Sequence, residues 1–190
     1  MVSRDVAPPE RGKTMKNKSL GLTVLLVAFA GSALGQNHIS GTLKCGSGKS
    51  DAELTVQVGD YDGHMLIIDK DSGLGSCTWI APIEIAGLKT TGVSGVSVLE
   101  VNGAKLQDQG YDVQTMENGD KVYLTLQSTG SVTEGGKSVT YGGTWVWTGG
   151  TGKLKGIKGK GTFKGSGDPN VAIQSQIEGE YTLPAGGRQR

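Results

Sequence analysis

Aromatic side chains make up only 5% of the 190 residues, histidine and cysteine each occur twice, and neither sign of charge dominates. Each shortage excludes something. Two imidazoles, His38 and His64, rule out a multi-histidine metal centre. A Ser-His-Asp triad would have to use one of them, and no serine sits in a G-x-S-x-G setting. So few aromatics, none interleaved with the lysines, leave no stacking platform for single-stranded nucleic acid. Hydrophobic runs are equally scarce. The longest, Leu20 to Ala30, falls short of the roughly 20 residues that cross a bilayer, so no stable membrane anchor is expected.

That run marks a boundary instead. Lys16 and Lys18 precede it, small residues follow it, and Ala33 and Gly35 stand at −3 and −1 before Gln36. The pattern predicts a secretory signal peptide over 15–35 and an exported protein, periplasmic or extracellular, after cleavage near Gln36. Residues 1–14 read as an upstream over-extension, with Met15 as the start. Residues 36–184 form one predicted domain, and 185–190 a flexible tail. Residues 1–35 hold five basic and two acidic side chains of the chain's 19 and 18, which leaves 14 against 16 in the exported part. A nucleic-acid partner normally calls for a clear basic excess, so none is expected. Cys45 and Cys77 both lie in the exported part, where an even count favours one disulfide.

What the chain has in quantity is glycine, 33 residues, set among short alternating stretches. Tyr111–Thr115 and Val122–Leu126 alternate on either side of Asn118-Gly119, a hairpin-turn dipeptide. Tyr141–Thr148 and Ile173–Leu183 alternate as well, and further strands are predicted at His38–Lys44, Glu53–Val58, His64–Lys70, Ser76–Ile85 and Val96–Val101. Eight to ten short strands with no helix predict an all-β domain. Such regular short strands suggest either a β-sandwich or a closed antiparallel barrel, and composition alone does not choose between them.

Few motifs survive their spacing. Gly149–Gly165 resembles a phosphate loop, yet a P-loop ending at Gly152-Lys153 would need glycine at Trp147 and a hydroxyl at Leu154. Gly48-Lys49-Ser50 fails in the same way, with Leu43 in the first position. Asp60/Asp62 and Asp69/Asp71 imitate calcium loops but lack the closing glutamate, so they read as turn acids and no metal is expected. Lys153, Lys155, Lys158, Lys160 and Lys164 form a basic surface, read first as the wet face of a strand. Tyr111, Trp145, Trp147 and Tyr181 would share one side of the sheet, as filling or as the lining of a ligand cavity. Glu84 and Glu100, inside apolar strand text, read as outward-facing or as buried carboxylates.

Asn118-Gly119-Asp120, Gly143-Thr144-Trp145, Gly149-Gly-Thr-Gly-Lys-Leu154 with Gly156 and Gly159, and Glu178-Gly179-Glu180-Tyr181 together form a recognisable succession. It resembles small secreted bacterial proteins related to the allene oxide cyclase and dirigent-like β-barrel superfamily, over about Tyr111 to Leu183. The resemblance implies a single antiparallel, calycin-like eight-stranded β-barrel, with a β-sandwich as the alternative; the plant members are often oligomeric and act as a cyclase or guide radical coupling. It transfers no catalytic residue and no cofactor. The export signal, the barrel pattern and the lack of a catalytic set lead to the expectation of an exported, non-catalytic barrel that binds a small apolar ligand or an envelope component, and that can also form a homo-oligomer. An isomerase or cyclase, or a scaffold with a basic strand, is the alternative.

Overall fold

Alternation of side chains and short glycine turns build one antiparallel sheet. The computed structural model describes residues 37–46, 51–71, 77–133 and 135–184, so the expected upstream segment (1–14), signal peptide (15–35) and tail (185–190) lie outside the described residues. Its strands are β1 (Asn37–Gly46), β2 (Ala52–Gln57), β3 (His64–Asp71), β4 (Cys77–Ala81), β5 (Glu84–Ile85), β6 (Leu88–Asn102), β7 (Lys105–Met116), β8 (Lys121–Val132), β9 (Val139–Gly150), β10 (Lys158–Asp168) and β11 (Ala172–Thr182). A 3-10 turn, Gly152–Leu154, precedes β10. No helix among the described residues is long and apolar enough to cross a membrane.

The hairpin read from Asn118-Gly119 is present. The Gly119 N–H donates to the Met116 carbonyl at 2.9 Å, and β7 pairs with β8 from Thr115↔Lys121 outward. The alternating text at 88–95 was harder to see, because Gly92 and Gly95 interrupt it. It forms the first half of β6, the longest strand. Pro82 follows β4, and the Ser76–Ile85 stretch divides there into β4 and β5.

Ten strands run in the order β2-β3-β6-β7-β8-β9-β10-β11-β1-β4, with β5 paired to the start of β6. The closed eight-stranded barrel expected from the sequence is not formed: the sheet curls into a half-barrel. β1 docks antiparallel on β11 and carries β4 on its other side. The β2–β3 hairpin extends the opposite end through β6. Closing the sheet would require β2 to meet β4. A sheet rolls shut to bury an apolar face, but the inner face of β3, β6 and β7 is mixed: Met65, Ile67, Leu99 and Leu106 share it with Asp69, Asp71, Ser97, Asp108 and Asp112. Closing the sheet would bury those carboxylates along with the apolar side chains.

The apolar core therefore gathers on the β8–β11 side and at one end. Trp147, Ile83, Ile85, Met116, Leu154 and Ile157 are each less than 2% exposed, and Trp145 (5%) and Tyr181 (6%) join them. Leu154 and Ile157 come from the glycine-lysine segment. Its 3-10 turn is anchored by the Lys153 N–H donating to Asp120 Oδ2 at 3.0 Å, and it folds both side chains over the end of the core. Each such burial stabilises by about 1.5–3 kcal/mol. A disulfide joins Cys45 of β1 to Cys77 of β4, 32 residues apart. In the chain-entropy account a loop of that length contributes roughly 3–4 kcal/mol.

Candidate functional site

Opposed residues in an antiparallel ladder share a face, so the register alone says what the concave side carries. Trp147 opposes Leu124, Leu124 opposes Asp112, Asp112 opposes Gly95, and Gly95 opposes Asp71. One rung along, Trp145 leads through Leu126, Gly110 and Ser97 to Asp69. Asp108 opposes Ser128 and Leu99 on the same face. The concave side thus changes from indole rings on β9 to a group of carboxylates on β3 and β7.

Two of these carboxyls are perturbed. Burial, reinforced by the charges of Asp108, Asp69 and Asp71, pushes Asp112 up to about 7. Burial also raises Asp108; the Ser97 hydroxyl and the Gln109 N–H partly offset it, and the Asp69 charge adds to it. Ser97 donates to Asp69 Oδ1 at 2.5 Å. No cation among the described residues pairs with Asp108 or Asp112. The carboxylate of Asp112 sits over Gly95, where any Cβ would overlap it. Glycine at 95 keeps that space open.

Unpaired acceptors flank Asp112 along β7. Asp108 Oδ1 is buried and accepts no hydrogen bond, and neither does Oε1 of Gln114, a residue 7% exposed. Across the floor, Tyr141 bonds Ser175 through their hydroxyls at 2.5 Å. Burial raises the Tyr141 phenol, against the pull of Ser175, and the Asp108 charge adds to the rise. Asp108, Asp112, Gln114 and Tyr141 are therefore chemically unusual groups of this face; the indole N–H groups of Trp79, Trp145 and Trp147 are likewise buried without an acceptor.

The residues singled out on the sequence are distributed differently. Trp145, Trp147 and Tyr181 do share the inner face, with ring centroids 4.9 Å apart for the two indoles and 5.7 Å for Trp147 and Tyr181. They fill the core; the Tyr181 hydroxyl accepts the Ala86 N–H at 2.8 Å. Tyr111 stands on the opposite, convex face, 73% exposed. Glu84 is exposed, and Glu100 accepts from His64 Nε2 at 2.9 Å. Lys153, Lys155, Lys158, Lys160 and Lys164 are all exposed, and Lys160 reaches Glu180 at 3.5 Å. Around Lys160 lies a shallow dish of about 810 Å³, shared with His38, Ser40, Val146 and Glu180. Its mixed charges and openness recommend no one ligand. No group of acids, histidines or cysteines among the described residues could hold a metal ion.

Asp108, Asp112 and Gln114 escaped the sequence reading because the apolar partner residues Tyr111 and Val113 looked like the core side of β7. The signal was present in the period-two series Asp108, Gly110, Asp112, Gln114 opposite the glycine-broken text of β6.

A separate constellation holds the β2–β3 turn. His64 bonds Asp60 through Nδ1 at 2.7 Å and Glu100 through Nε2 at 2.9 Å, with Tyr61 stacked 5.1 Å away. The Asp60 and Glu100 bonds raise the His64 pKa above 6.5; desolvation opposes them. A raised histidine stabilises the fold below the unfolded-state value and loses that contribution as pH climbs through the folded one. Replacing His64 by Gln is thus expected to remove the part of the stability decline that lies above pH 6.5, read by urea unfolding at pH 6 and 8; an unchanged decline would remove this role.

Compared with models of protein families and with curated protein sequences, the chain finds no match.

Proposed function

We propose that this is an exported, non-catalytic binding protein whose half-open concave face takes a small ligand with an apolar body and a cationic, hydrogen-bond-donating end. One observation carries this reading: on β7, Oδ1 of Asp108 and Oε1 of Gln114 are buried acceptors with no donor, on either side of an Asp112 carboxyl held near 7. An ammonium group supplies the two things lacking there, donors and positive charge. Phe163 and Tyr141 lie further along the same face, in edge contact at 6.2 Å, and offer apolar surface for the rest of the ligand. The Cys45–Cys77 disulfide supports export to an oxidising compartment.

Benzylamine is a suitable probe, with phenylacetate as its anionic counterpart. Amide resonances of Gly95, Ser97 and Asp112 are expected to shift with benzylamine at pH 8, and affinity should fall at least about tenfold at pH 5, where Asp112 holds its proton. Asp112→Asn should weaken binding to a similar degree. Equal shifts with phenylacetate, or undiminished binding by the variant, would overturn the proposal.

The isomerase or cyclase reading draws on the same carboxyl, because a pKa near 7 suits a general acid–base group; Tyr141, on the same face, feels the charge of Asp108. It differs in requiring turnover, lost in Asp112→Asn, and agrees with the resemblance carried by Gly149–Leu154.

A further inference from the structure

The open edge of the sheet at β2 has its own logic, independent of the concave face. Val58 donates to the His64 carbonyl at 3.0 Å. Bonding alternates along an antiparallel ladder, so with Val56↔Leu66, Leu54↔Ile68 and Ala52↔Lys70 in register, those residues direct their backbone groups at β3. Glu53, Thr55 and Gln57 direct theirs outward, to an edge with no partner strand among the described residues. Six N–H and C=O groups are thus available to pair.

Natural edge strands are normally blunted by proline, lysine or a bulge. β2 contains none of these: its sequence is AELTVQ and its pairing with β3 is unbroken. Every residue of it is exposed, with Leu54 at 57% and Val56 at 43% on the convex face, beside Ile68 at 39%. The opposite edge, β4, is only five residues long and disulfide-linked to β1.

We infer that β2 is a homodimer edge, pairing antiparallel with β2 of a second copy about a two-fold axis at Thr55. That register is self-complementary. It sets Thr55 opposite its own copy, Leu54 opposite Val56, and Glu53 opposite Gln57, so no like charges face each other. The outward backbone groups of Glu53, Thr55 and Gln57 all find partners in it. On the convex side Leu54 of each copy meets Val56 of the other, with Ile68 one strand further in. Pairing about Glu53, by contrast, would oppose two carboxylates.

Light scattering after size exclusion tests this on the exported chain, from residue 36 onward. The expected result is a concentration-dependent dimer of twice the chain mass. Thr55→Pro should give a folded monomer, because it removes only an outward N–H, and edge strands accept proline there. Gln57 tests the register itself. Gln57→Lys, opposite Glu53 of the second copy, should tighten the dimer, and Gln57→Glu should weaken it, each by roughly two- to tenfold in Kd. Four outcomes would overturn the inference: a monomer at all concentrations, open-ended oligomers, a dimer undisturbed by Thr55→Pro, or the two Gln57 variants moving together. If Thr55→Pro does not fold, the opposed effects at Gln57 still decide.

Discussion

Asp112→Asn is expected to make the protein more stable at pH 8 than the parent, by up to about 4 kcal/mol, and to leave it no more stable at pH 3.5. The reason lies in linkage. In the unfolded chain this carboxyl titrates at its ordinary 3.8, and in the fold at about 7. Below pH 3.8 both states hold the proton and Asp112 contributes nothing to the pH dependence. Between pH 3.8 and 7 the unfolded chain releases a proton that the fold retains, so stability falls as pH rises. Above 7 the penalty is complete, and each pK unit corresponds to about 1.4 kcal/mol. Asparagine keeps the shape and removes the charge, and it also relieves Asp108, which loses a like neighbour. Urea unfolding from pH 3.5 to 8 measures the effect. A parent whose stability is flat over pH 4–7, or a variant with the parent's slope, would show that Asp112 is neither buried nor crowded as described. The window overlaps that of His64 only between pH 6.5 and 7, so the fall from pH 4 to 6 reports Asp112 without the histidine.

That a binding protein should keep a costly carboxyl agrees with the proposed function. A core that needed only to be stable would carry leucine at 112, as it does at the opposed position, 124. A functional group paid for in stability is a common feature of binding sites.

The all-β architecture was legible because alternation and turn chemistry are local. Asn118-Gly119 located its hairpin, and Trp145 and Trp147 were placed on the core side by their period of two. Closure was not legible. It depends on what β3 and the β6–β7 hairpin present together on one face, and no short window of sequence contains them all. The site was hidden for the same reason. Asp69 read as a turn acid and Asp112 drew no notice beside Tyr111 and Val113, and only the register through Gly95 and Ser97 brings them onto one surface. Tyr111 was misplaced because an aromatic residue in a strand was assigned to the core. In a half-barrel with an uncovered convex face, that rule fails.

The largest stability effect is expected at the indole of Trp147, and its form tests the packing that curls the sheet. Trp147 is 1% exposed and opposes Gly159 of β10. Its ring lies so close over that glycine that a Cβ there would overlap it. The neighbouring rung repeats the arrangement, with Trp145 over Gly161 and Gly179. Bulky rings on β9 and bare backbone on β10 let the strands approach around the core. Trp147→Ala should therefore cost about 3–5 kcal/mol through lost burial and the cavity left behind. Gly159→Ala should also destabilise, by roughly 1–3 kcal/mol, because the rigid ring has no way to yield. In the double variant the new methyl group occupies part of the space the indole has left, and the clash is gone. The two costs should then fall short of additivity by about 1–3 kcal/mol, which denaturant unfolding of the four proteins measures as a coupling energy. Strict additivity would mean that Trp147 does not rest on Gly159, and the glycines of β10 would need another reason to be there.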